Sequence, residues 1–177
     1  LCNKDGVKED LSGSMQKALL NNRRLGFVAG GLDDRGCYAP FFEGDQEQYA
    51  PGLTAIIAKD LSRESLFQSL YNRACYATTG AQIIVNFQIA GIPMGTETST
   101  TDKPGLSLNR HLTGYVAGTD QIKSIEILRN AEVIKTFNPE DTYHHDFAFD
   151  DMEKIAKIAL TPPLKKDPSF IFYYLRV

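Results

Sequence analysis

The run Gly30-Gly-Leu-Asp-Asp-Arg-Gly36 sets two adjacent carboxylates, Asp33 and Asp34, in a glycine-bounded turn. Hard divalent cations take carboxylate oxygens, so Asp33 and Asp34 are candidate metal ligands. No histidine flanks them, and a charged surface turn is the competing reading. A second candidate is Tyr143-His-His-Asp146. Imidazole and carboxylate groups suit a transition metal. Neighbours on a strand point to opposite faces, however, so His144 and His145 cannot share one ion with good geometry. His111 is the only other imidazole in the chain, and half-exposed strand residues are the simpler expectation. Cys75 would be a nucleophile if a base lowered its pKa. No motif ties it to a histidine, so a small buried residue at a helix end is expected. Thr78 and Thr79 are then expected to bond to backbone. The last candidate is Phe170-Ile-Phe-Tyr-Tyr-Leu-Arg-Val177. Its alternation gives one face to Phe170, Phe172, Tyr174 and Arg176. Such a strip could stack on sugars or bases, but a central sandwich strand covered on both sides explains it more simply. A glycine-rich phosphate loop, a GxSxG elbow and an HExxH helix are all missing from the sequence.

The elements that must carry these residues follow from periodicity. Ser14 caps a helix to about Asn22, and Leu25 to Ala29 reads as a short buried strand. Residues 31–52 hold Gly36, Pro40, Gly44 and Pro51 and few regular signals. Connections usually run about 4–6 residues, so this stretch reads as a linker between units. Leu53 to Ala58 is a strand. Ser62 caps the clearest helix, with Leu61 and Leu66 as a hydrophobic staple and Leu66, Phe67 and Leu70 as its buried face. Arg73 in its last turn suits the helix dipole. From Ala81 to Ala90 the period becomes two, with Ile83, Val85, Phe87 and Ile89 on the apolar face. Gly91 to Gly95 is a turn. Further strands are expected at about 106–117, 122–129, 132–137, 143–149 and 169–177, with 150–160 read as a strand. Asn130-Ala131 occupies a two-residue hairpin turn in which glycine is the usual second residue.

At 177 residues, the chain fits one domain or one domain plus part of another. Its hydrophobic content of 42% is enough for a real core. A net charge of −3 argues against a nucleic-acid platform, which carries a basic face. No apolar run reaches the ~20 residues of a membrane span, and no signal peptide is expected. Cys2, Cys37 and Cys75 show neither disulfide nor zinc spacing, which slightly favours a cytoplasmic setting. The strands and turns together predict an α+β, mostly β fold, with a β-sandwich-like C-terminal domain behind a short N-terminal α/β remnant.

The element Arg73-Ala-Cys-Tyr-Ala-Thr-Thr-Gly80 resembles a motif of the PHP-like metal-dependent phosphoesterases. Weaker support comes from Ser14 to Ala29, Leu53 to Ala58 with Leu61-Ser-Arg-Glu64, and Tyr173-Tyr-Leu-Arg-Val177. The likeness runs over residues 12–177. It implies a metal-dependent hydrolase domain followed by a C-terminal β domain. Residues 1–52 would then be an α/β remnant plus linker, and 53–177 a helix plus β-sandwich. The family's metal run resembles Ser-Asp-x-His followed by Arg-Gly. Ungapped alignment puts Leu32 at the Asp position and Asp34 at the His position; a one-residue shift puts Asp33 and Arg35 there. Neither supplies an imidazole, so the metal motif is degenerate. The resemblance implies a non-catalytic β domain holding no cofactor, with any divalent metal left to a full-length parent. Its partner would be the upstream PHP-like domain, in the same polypeptide or another copy, with no nucleic acid or membrane. Two alternatives stay open. One is a fragment of an active phosphoesterase with its other ligands upstream. The other is a free-standing sandwich that binds proteins or carbohydrate.

Overall fold

Phe87, Leu112, Val116, Ile125, Ile127 and Phe147 are each at most 5% exposed, and all fall on strand positions of inward parity. That alternation dictates two sheets with one core between them. In the computed structural model, residues 2–3, 6–7, 14–30, 52–164 and 167–177 are described. The chain forms two units, one from residues 1–11 and 26–82, the other from 12–25 and 83–177. The boundary expected near residue 52 falls inside the first unit.

The second unit carries the sandwich and helix α1 (Ser14–Leu20). Its four-stranded antiparallel sheet has the order β10-β7-β5-β6, from His144–Asp151, Arg110–Ala117, Ile84–Ile89 and Ile92–Pro93. Its three-stranded sheet has the order β11-β8-β9, from Tyr173–Arg176, Ile125–Arg129 and Glu132–Phe137. The buried cluster draws on both sheets, with Ile134, Phe137, Tyr173 and Leu175 packed against it. Each fully buried aliphatic side chain contributes about 1.5–3 kcal/mol. The β8–β9 register shifts between Ile127 and Leu128 and leaves Ile134 as the extra residue on β9. Ile127 faces the core beside Leu175, and Leu128, 2% exposed, lies on the opposite face beside Tyr174. The mostly β, α+β fold expected from the sequence is therefore present.

Gly114 is the pivot of this core. It pairs with Phe147 on one side and Phe87 on the other. A Cβ there would lie 2.7 Å from the Asn86 carbonyl oxygen and collide with the Phe147 ring. The missing side chain lets the two rings approach above it, 6.3 Å apart.

Two hairpins use left-handed turns. Ala90 and Gly91 have φ of 49° and 74°, and Asn130 and Ala131 have 52° and 70°. Both are two-residue connections with positive φ throughout, the geometry that matches strand twist. Alanine holds one such position in each.

The first unit contains β1 (Cys2–Asn3) paired with β2 (Gly6–Val7), and β3 (Leu53–Ile56) paired antiparallel with β4 (Cys75–Thr78). Helix α2 (Arg63–Tyr71) joins β3 to β4. Ser62 caps it as expected, accepting from the Ser65 N–H at 3.2 Å. At the other end Arg73 has φ of 60°. Its N–H bonds to the Leu70 carbonyl and that of Ala74 to the Ser69 carbonyl. This is a Schellman closure, so Arg73 lies past the helix rather than in its last turn.

Several expectations need correction. Leu61 is 91% exposed, Phe67 68% and Leu70 40%, so neither the staple nor that buried face forms. Residues 25–29 join no sheet ladder; the Thr54 hydroxyl bonds instead to the Ala29 N–H and carbonyl, at 2.9 and 2.6 Å. Residues 104–107 form a 3₁₀ turn before β7. Segment 150–160 ends β10 at Asp151 and then makes one helical turn, α3 (Ile155–Ile158). β11 lies at the edge of its sheet, not at its centre.

Candidate functional site

The second unit buries a polar centre in its sandwich. Strand register sets Arg110 opposite Asp151 in the four-stranded sheet and Tyr173 opposite Arg129 in the three-stranded sheet. The four side chains meet. Arg110 Nη2 lies 3.0 Å from Asp151 Oδ1, and Arg129 Nη1 lies 2.9 Å from both carboxylate oxygens. The Tyr173 hydroxyl donates to Asp151 Oδ2 at 2.6 Å and accepts from Arg110 Nε at 3.1 Å. Arg110 also donates to the Leu106 and Glu153 carbonyls. Arg129 reaches Glu153 Oε2 at 2.8 Å, and the Glu153 N–H donates to Asp151 Oδ1 at 3.2 Å. The two cations are balanced by Asp151 and Glu153.

Burial pushes the Asp151 carboxyl up. The Tyr173 hydroxyl and the two guanidinium groups outweigh it and hold the pKa at about 2. Burial pushes the Tyr173 phenol up, and its bond to Asp151 adds to the shift. Such groups are poor proton donors or acceptors near neutrality, because the carboxyl is held well below that range and the phenol well above it. The arrangement is a charge-paired clasp joining two sheets. Nothing in the sequence reading singled out Arg110, Arg129 or Asp151. The signal was present: Arg110 shares parity with Leu112 and Val116, and Asp151 with Phe147 and Phe149. Charges in an apolar register are expected to pair.

The residues chosen for chemistry are dispersed. His144 lies against Tyr115 and His145 against Phe137, on opposite sheet faces as anticipated. His111 Nδ1 lies 2.8 Å from Asp150 Oδ1, which also accepts from Asn109 Nδ2 at 2.7 Å. His111 pairs with Asp150 and His144 with Ala117, six residues apart along β7. That spacing is about 20 Å at strand rise. Among the described residues no three metal-ligating side chains converge. Asp33 and Asp34 lie outside the described residues. Cys75 is 5% exposed and opens β4, and burial raises its thiol pKa. The Thr78 hydroxyl accepts from the Gly80 N–H at 3.3 Å. Phe170, Phe172 and Tyr174 stack in series along one face, about two residues apart, with centroids 6.3 and 6.2 Å apart. An open depression of about 380 Å³ is lined by Gln121, Lys123, Pro139 and Glu140, and it gathers no set of catalytic groups. No helix among the described residues is long and apolar enough to cross a membrane.

Fold and polar centre together define a β-sandwich module closed by a buried ionic clasp. Residues 35–118 match a family described as a protein of unknown function (DUF3604). The chain is 54% identical over 169 residues to an uncharacterized protein of Chlamydia trachomatis. It is 53% identical to one of Chlamydia muridarum and 52% to one of Chlamydia pneumoniae. Each match covers 96% of this chain and 27% of the relative, so the chain spans about a quarter of their length. No solved structure matches. These findings overturn the resemblance to PHP-like phosphoesterases. The Tyr76-Ala-Thr-Thr-Gly80 element lies inside the matched residues, and the family that matches carries no hydrolase description. A Tyr-Ala-Thr-Thr-Gly run is short enough to follow from local strand and turn chemistry alone, as the β4 ladder and the Thr78 turn indicate.

Proposed function

We propose that this chain is a non-catalytic β-sandwich module within a longer polypeptide, acting as a rigid support for the rest of it. The observation that carries the reading is the Arg110–Asp151–Arg129–Tyr173 clasp. Among the described residues this cluster of ionisable groups faces inward, is paired throughout and joins the two sheets. Buried charge of this kind specifies one packing of two layers; it offers nothing to a substrate. The greater length of the relatives, of which the match covers 27%, supports a role beside other segments.

The test is turnover. The purified chain is incubated with generic phosphomonoester and phosphodiester substrates and added manganese or zinc. No turnover above buffer is expected. Metal-dependent turnover abolished by Asp33→Ala or Asp34→Ala would contradict the reading.

A further inference from the structure

Helix α2 is packed the wrong way round for a helix with solvent on one side. Its covered positions are Ser69, at 9% exposure, with half-buried Ser65 and Leu66 beside it. Its exposed positions hold Arg63, Glu64 and Gln68 and, towards its C-terminal end, Phe67 at 68%, Leu70 at 40% and Tyr71 at 73%. Phe67 and Tyr71 stand one turn apart with their rings stacked, centroids 6.3 Å apart. A surface helix normally turns its apolar stripe to a core and its serines to water. Isolated apolar residues on a surface mean little, but two stacked rings with Leu70 on the same turn form the kind of patch that marks an interface.

In the same unit the described residues bury few side chains. Among its described residues only Gly52, Ser69 and Cys75 are buried. The relatives match this chain nearly end to end, yet almost three quarters of their length lies outside the match. We infer that the Phe67–Leu70–Tyr71 face of α2 is covered by a segment of the longer polypeptide outside these 177 residues. The two rings alone would bury about 150–250 Å² each, a useful share of an intrachain interface of roughly 600–1,500 Å². The inference rests on the proposal that the chain is a module of a longer polypeptide.

The experiment compares Phe67→Lys/Tyr71→Lys in the 177-residue chain and in the longer polypeptide. In the short chain the double variant is expected to keep the parent's melting temperature and remain monomeric. In the longer polypeptide it is expected to raise the rate of limited proteolysis about tenfold or more, tracking the open population. Equal loss of stability in both forms overturns the inference, because the patch is then covered within the chain. No change in either form also overturns it, since the face is then solvated. A concentration-dependent dimer of the short chain that the variant abolishes assigns the face to a second copy, which again overturns it. Deleting the whole 177-residue segment separates the two claims. If deletion destabilises the remainder while the double variant does not, the module reading stands and the docking face is wrong.

Discussion

Arg110 and Asp151 face each other across neighbouring strands, Nη2 to Oδ1 3.0 Å apart, and each is only 3% exposed. A buried pair is weak evidence of net stability, since desolvation offsets attraction. Breaking it is another matter. Asp151→Asn leaves two guanidinium groups facing a neutral amide in the interior. The expected cost is about 3–5 kcal/mol, read from a denaturant melt. A cost below ~1 kcal/mol would show that water reaches the clasp.

The same carboxylate sets an acid limit on stability. Its pKa falls from an ordinary 3.8 in the unfolded chain to about 2 in the folded one. A depressed folded pKa contributes stability that is fully present above the unfolded value and lost as pH falls through the folded value. The contribution is on the order of 2 kcal/mol and should disappear between about pH 4 and pH 2. Melts of wild type and Asp151→Asn across that window should converge as the pH drops. Parallel curves would assign the acid sensitivity to other carboxylates.

Gly114→Ala should be among the most damaging single-methyl additions. The new Cβ would meet the Phe147 ring and the Asn86 carbonyl, and the backbone of a central strand cannot retreat. Overpacking costs typically about 1–3 kcal/mol, and this site should reach the top of that range. Gly114→Ala/Phe147→Leu should recover part of the loss; no recovery would mean that the backbone contact dominates.

Ala131→Gly should raise the melting temperature slightly. Ala131 sits at φ of 70°, where a Cβ costs on the order of 1 kcal/mol. Glycine removes that cost but adds entropy to the unfolded chain, so the gain is small. Asn130 should not be exchanged alongside it. Its amide donates to the Ile158 carbonyl at 2.7 Å, and its side-chain oxygen accepts from the Phe172 N–H at 3.3 Å. A lower melting temperature for Ala131→Gly would indicate another turn geometry.

The sandwich was legible because its strands alternate cleanly. Val85, Phe87 and Ile89 announced their inward face, and the positions of Asn130-Ala131 and Ser62 announced a turn and a cap. What stayed hidden depended on partners distant in sequence. Arg110 and Asp151 carry charges in an apolar register, and only the pairing of β7 with β10 shows why. Helix α2 misled for a related reason. Its Leu66, Phe67 and Leu70 have core spacing, but within this chain its serines are the covered side. The apolar period gave no indication of which side of the helix this chain covers. β11 read as a central strand because both of its faces are apolar or aromatic. An edge strand with Tyr173 and Leu175 facing the core and a Phe170–Phe172–Tyr174 stack on its other face looks the same in one dimension.

The most direct test of the module proposal is a pair of melts on the longer polypeptide, with and without this 177-residue segment. The account predicts that the segment alone melts cooperatively, and that its removal lowers the melting temperature of the remainder by several degrees. A remainder that melts at the same temperature and resists proteolysis equally well without the segment would contradict it.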